Sequence, residues 1–184
     1  MQRFARWVLG YHGCTKELAT QLIGGELAVE AWRLSENPHD WLGRGIYFWE
    51  HGPERAAAWA HRRHGSDADV VGAIIQLGQC FDLLDVRFTH LLLPAYERER
   101  ELVDDIGGVM PSNTGRTPEL GKRELDCLVI NSFLQASPGE EFQTVRGAFW
   151  EGQPAFPGAM IMRESHIQIA VRDRRCILGV FRPT

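Results

Sequence analysis

Trp7-Val8-Leu9-Gly10-Tyr11-His12-Gly13, followed by Cys14-Thr15 and the apolar positions Leu18, Ala19, Leu22 and Ile23 up to Gly24-Gly25, is the stretch on which the fold turns. It predicts a short strand closed by a glycine. Thr15 then caps a helix whose apolar residues recur at helical spacing and whose end carries glycine. Working outward, Val29–Ser35 is ambiguous and Asn37-Pro38-His39-Asp40 is a turn. Gly43-Arg44-Gly45 opens the run Ile46-Tyr47-Phe48-Trp49, which reads as a glycine-flanked strand. Pro53 at a first helical position, with Ala56, Ala57, Ala58, Trp59 and Ala60 behind it, predicts a second helix. Val70–Leu77 has the composition of a buried strand that continues toward Cys80–Leu83. A helical stripe runs from Phe88 to Ile106 with Pro94 as its start or kink. Gly107–Gly121 is a long surface loop, and Leu125, Leu128, Val129 and Phe133 mark another helix. Phe142–Val145, His166–Val171 and Cys176–Phe181 read as strands. Helices early and strands late make an α+β fold.

The whole chain is one expected domain. Its 184 residues, 44% hydrophobic and 24% charged, fit one sizeable core and exclude a disordered or fibrous chain. A net charge of -4 speaks against general nucleic-acid binding and leaves room only for a local basic groove. No apolar run reaches the roughly 18 residues of a membrane span. Arg3 and Arg6 precede only Trp7-Val8-Leu9 before Gly10, too little for a secretory h-region, so a cytoplasmic protein without a membrane partner is expected. Cys14, Cys80, Cys127 and Cys176 form no CxxC pair and read as reduced core residues.

Several chemistries drop out. Gly115–Lys122 has the wrong spacing for a phosphate loop, and Arg123 stands where Ser or Thr is required. No GxGxxG opens a helix after a strand, and no GxSxG elbow is present. His61 and His64 lie one helical turn apart but lack a third ligand at a recognisable spacing, so no metal is expected.

The remaining residues form an unusual set: Tyr11-His12-Gly13, Gly43-Arg44-Gly45-Ile46-Tyr47-Phe48, Trp59, and a late strand carrying Glu164, His166 and Gln168. This set resembles the poly(ADP-ribose) polymerase and diphtheria-toxin class of ADP-ribosyltransferases, with its His, Tyr, Glu signature. Asp40-Trp41-Leu42-Gly43 and His166-Ile167-Gln168-Ile169 also make the chain similar to small bacterial members of that superfamily. The resemblance implies a split β-sheet core with flanking helices and NAD as co-substrate. It further implies that His12 bonds the NAD ribose, the Gly13 backbone holds the nicotinamide amide, Tyr47 packs on the nicotinamide ring, and Trp59 replaces a second stacking tyrosine. Aromatic faces suit a flat pyridinium cation, each contact contributing on the order of 1 kcal/mol. A glycine lets a ligand amide approach the main chain.

Cleavage of the ribose–nicotinamide bond expels a neutral amine, so a late-strand residue need only hold the ribose and stabilise its growing positive charge. Alternation puts Glu164, His166 and Gln168 on one face. Gln168 is the first candidate for the family's glutamate position and Glu164 the second. A glutamine supplies neither charge nor a basic oxygen, which leaves acceptor activation to Glu164, His166 or Glu151. Arg146, Glu151 and His166 are the candidate contacts to a macromolecular acceptor, protein or nucleic acid. The expected activity is mono-ADP-ribosyl transfer by a toxin or phage-defence protein, with an antitoxin as candidate partner. The alternatives are an inactive NAD- or ADP-ribose-binding module and an NAD glycohydrolase.

Overall fold

The computed structural model describes residues 6–136 and 141–184, so Arg3 of the N-terminal reading lies outside it. The opening stretch folds as expected, with β1 (Trp7–Thr15) running directly into α1 (Lys16–Gly24). Thr15 Oγ1 accepts from the Leu18 N–H at 3.3 Å, and Gly25 ends the helix in the left-handed region at φ 77°. The ambiguous Val29–Ser35 segment is a 3-10 turn at Val29–Ala31, after which Ser35 bridges Gly45. It delivers Trp32 into the core. β2 (Ile46–Glu50) and α2 (Pro53–His64) follow, with Pro53 in the first helical turn.

The strand expected from Val70 to Leu83 is two strands at opposite sides of the sheet. β3 (Ala68–Gln76) ends before Gly78, whose φ of +58° turns the chain, and β4 (Cys80–Asp82) lies on the far edge. The helical stripe likewise divides into α3 (Val86–Thr89) and α4 (Leu92–Asp105), with Pro94 in the first turn of the latter. β5 (Asn113–Thr114) and β6 (Lys122–Arg123) form a small hairpin around the expected loop and lead into α5 (Glu124–Gln135). β7 (Thr144–Phe149), β8 (His166–Val171) and β9 (Ile177–Phe181) complete an α+β fold.

The seven-stranded sheet has the order β4-β7-β8-β2-β1-β3-β9, with β4 and β7 parallel and the other pairs antiparallel. Side-chain alternation divides its two faces between two cores. One face gathers Phe48, Val71, Ile75, Ile169 and Val171 with Leu22 of α1 and Trp32. The other gathers Leu42, Phe81, Val145 and Ala170 with Ile130 and Leu134 of α5.

At the centre of this sheet β1 pairs with β3 along its whole length, but with β2 only at Gly10↔Glu50 and Tyr11↔Trp49. A seam therefore opens between β1 and β2 beyond Tyr11.

Candidate functional site

Gly13 sits on the rim of that seam. The Leu9 carbonyl accepts from the His51 N–H and the Arg6 carbonyl from the Leu77 N–H, which fixes the parity of β1. Even-numbered peptide groups face β3, and odd-numbered ones face β2. The N–H and C=O of Gly13 therefore point into the seam, past the last pair with β2. A Cβ at this position would lie 2.5 Å from the Ala56 carbonyl and 3.2 Å from Trp59, so glycine also lets α2 pack against β1.

His12 reaches into the same opening. Its Nδ1 lies 2.8 Å from the Tyr47 carbonyl, an acceptor only, so Nδ1 carries the proton and Nε2 presents a bare lone pair. Nε2 has no partner among the described residues. The ring packs edge-on against Trp32 at 4.9 Å and beside Phe48 at 5.8 Å. Burial pushes the His12 pKa down to about 4, helped by His64 and opposed by the Tyr47 carbonyl, so the imidazole is neutral at physiological pH.

Tyr47 is locked by its hydroxyl, which donates to the Gly43 carbonyl at 2.6 Å and accepts from the Leu42 N–H at 2.8 Å. Burial, together with the charge of Asp40, holds that hydroxyl well above its ordinary pKa. It is a fixed neutral phenol. Trp59 on α2 is 37% exposed and leans on Trp49 at 5.9 Å.

The late strand builds a second group of residues on the Tyr47 face, because Trp49 pairs with Gln168 and Tyr47 with Ala170. Gln168 is 8% exposed and its Nε2 lies 2.9 Å from His166 Nε2. His166 Nδ1 donates to the Glu164 carbonyl at 2.7 Å and lies 3.6 Å from Glu151 Oε2. Arg55 of α2 bonds Glu164 at 2.8 Å and Glu151 at 2.7 Å. Burial, reinforced by the Arg55 charge, lowers the His166 pKa against the opposing pull of the Glu164 carbonyl, Glu151 and Glu164. The imidazole lies 6.3 Å from the Trp41 and Trp49 rings and 5.9 Å from the Phe149 ring. Arg123 caps this aromatic wall, 4.1 Å over Trp41 and 4.9 Å over Phe149.

The sequence candidates thus divide. His12 and Gly13 meet at the seam, where His12 touches Tyr47 only at its carbonyl while the Tyr47 ring lies on the opposite face, the one Trp59 approaches at Gly13. His166 and Gln168 of β8 meet Glu151 and Glu164, the latter in a turn before the strand rather than on it. His12 lies on the Phe48 face of the sheet and Gln168 on the opposite one, so their side chains do not converge. Arg146 joins neither group. Its guanidinium bonds Glu50 at 2.6 and 2.9 Å and Asp82 at 3.3 Å, on the His12 face. His166 borders the cleft at the ends of β2, β7 and β8, with its side chain only 4% exposed.

Three residues outside the candidates named from the sequence, Trp41, Trp49 and Arg55, belong to the His166 group. Trp49 shares a face with Tyr47 by strand alternation, and Arg55 precedes Trp59 by one helical turn; both signals were present. Trp41 is marked only by its place in a motif. Trp49 Nε1 and Arg55 Nε are buried donors without a partner among the described residues.

A cleft of about 770 Å³ opens at the ends of β2, β7 and β8, lined by Glu50, His51, Phe149, Trp150, Met160 and His166 among others. Among the described residues no group of His, Cys, Asp and Glu could hold a metal ion, and His64 instead packs against Trp59. All four cysteines are buried free thiols. No helix of the described residues is long and apolar enough to cross a membrane. Comparison with known proteins found no matching family model, curated protein or solved structure.

Proposed function

We propose that this protein is an NAD-dependent mono-ADP-ribosyltransferase with an ADP-ribosyltransferase-like core. The observation that carries the reading is the adjacency of β8, β2 and β1 at the centre of the sheet. These three strands bear His166–Gln168, Ile46-Tyr47-Phe48 and Tyr11-His12-Gly13, the segments behind the resemblance. The open seam supports it further, because a carboxamide needs one donor and one acceptor side by side, and the two Gly13 peptide groups supply both.

In this reading Gly13 holds the nicotinamide amide, and Tyr47 and Trp59 offer aromatic faces to its ring. His12, neutral and with Nε2 bare, accepts from a ribose hydroxyl. NAD supplies a glycosidic bond whose leaving group departs as a neutral amine, so the chain needs no general acid. Gln168, on the face opposite to His12, contributes an amide oxygen toward the positive charge that grows on the nicotinamide ribose, and His12 engages the other ribose of NAD.

Glu151 and Glu164 are both held by Arg55. Each has an oxygen occupied by the guanidinium, and in this reading the acceptor brings its own nucleophilicity. The cleft beside His166 is the place for a macromolecular acceptor, protein or nucleic acid, and a toxin or phage-defence role with an antitoxin partner follows from the resemblance. The paired carboxylates also favour a second reading, an NAD- or ADP-ribose-binding module without turnover. Incubation with NAD labelled in the adenylate separates the readings. Free nicotinamide with label on a macromolecule means transfer, free nicotinamide alone means hydrolysis, and a thermal shift without nicotinamide means binding only.

A further inference from the structure

We infer that His166 is a positioning residue that decides which atom of the Gln168 amide faces away from β8, holding its oxygen outward while the imidazole is neutral. Which atoms can donate fixes the arrangement. The Glu164 carbonyl bears no hydrogen, so the 2.7 Å contact places the proton on His166 Nδ1 and leaves Nε2 as an acceptor. Gln168 lies 2.9 Å from that Nε2 and must therefore turn its NH₂ to it. Oε1 is then directed elsewhere, and it has no partner among the described residues.

Protonation reverses the choice. An imidazolium carries N–H at both nitrogens, and an NH₂ group cannot face a second donor, so the amide rotates, gives Oε1 to His166 and turns its NH₂ outward. The outward group changes from acceptor to donor. Beside a ribose gaining positive charge an oxygen is favourable and an NH₂ group is not. The groups that bias this proton come from every side: Glu151 at 3.6 Å and Glu164 draw it in, while Arg55 of α2 and Arg123 over the Trp41–Phe149 wall oppose it. Burial in the aromatic wall opposes it too.

The hydrogen-bond assignment stands without the transferase reading, whereas its catalytic consequence rests on it. The test is nitrogen NMR of the intact chain labelled at histidine and glutamine. His166 is assigned by its loss in His166→Asn or, should that variant not fold, by its shift in Gln168→Met. At neutral pH the expected spectrum has a protonated Nδ1 and a bare Nε2. Titration occurs below the ordinary imidazole value, and the Gln168 side-chain amide resonances move with the same midpoint. Nicotinamide release falls at least tenfold across that midpoint in the parent, and Gln168→Met, which has no amide to flip, loses this acid limb from whatever slower release it retains. A proton on Nε2 at neutral pH, or Gln168 resonances that stay still while His166 titrates, overturns the inference. The expected spectra with no nicotinamide release at any pH would uphold it and remove the transferase reading instead.

Discussion

Replacing Arg146 by Met separates a substrate contact from a structural one. Arg146 is 12% exposed and bonds Glu50 through two nitrogens, at 2.6 and 2.9 Å, and Asp82 at 3.3 Å, with those carboxylates 9% and 7% exposed. Removing one partner of such a pair leaves a buried charge uncompensated, which costs about 3–5 kcal/mol. Asp82 keeps Arg6 at 2.8 Å, which points to the lower end, but Glu50 is left without a cation among the described residues. For a domain of this size, a loss of about 3 kcal/mol lowers the melting temperature by about 6–12 °C. Thermal unfolding followed by circular dichroism measures this directly. The double variant Arg146→Met with Glu50→Met should recover much of the loss, because a packed apolar pair can replace an ion pair at little cost. A single variant that melts within a degree or two of the parent while losing nicotinamide release would refute the structural assignment and make Arg146 a substrate contact.

Further expectations follow from the seam. Tyr47→Phe removes both bonds to the Leu42–Gly43 turn and strands the Leu42 N–H, a loss of about 1–3 kcal/mol that a melt should register. Gly13→Ala drives a Cβ to within 2.5 Å of the Ala56 carbonyl, and overpacking of about 1–3 kcal/mol should lower the melting temperature as well as NAD affinity. With the His12 pKa held near 4, the unfolded chain takes up a proton below pH 6.5 that the native state refuses. Stability contributed by neutral His12 is therefore complete above about pH 6.5 and is lost as pH falls to 4, by about 3 kcal/mol in total. Denaturant titrations across that window should show the fall, and His12→Gln should flatten it.

The strands carrying the candidate site were legible because alternation and caps are local signals. Thr15, Gly25 and Pro53 announce the ends of α1 and α2, and Ile46–Trp49 and His166–Val171 announce β2 and β8. The separation of β3 from β4 was not legible. It depends on one glycine in the left-handed region and on which edge of the sheet the chain reaches next. The two-residue strands β5 and β6 are too short to carry a period. Within the site, alternation grouped His166 with Gln168, but the side of the sheet on which each strand residue lies comes from the pairing Trp49↔Gln168, which joins residues far apart in the chain. The same long-range packing ties Arg146 to Glu50 and Asp82, and Arg55 to Glu151 and Glu164, partners that no local spacing announces.

The proposed reaction is cleavage of NAD where β1, β2 and β8 lie side by side. Nicotinamide release from NAD by the parent chain, beside His12→Ala and Gln168→Ala, tests it most directly. The expected result is release by the parent, loss in His12→Ala with the circular dichroism spectrum intact, and a fall of about a hundredfold in Gln168→Ala with little change in NAD affinity, because that bond strengthens as charge develops. A folded parent that releases no nicotinamide and shows no thermal shift with millimolar NAD would contradict it.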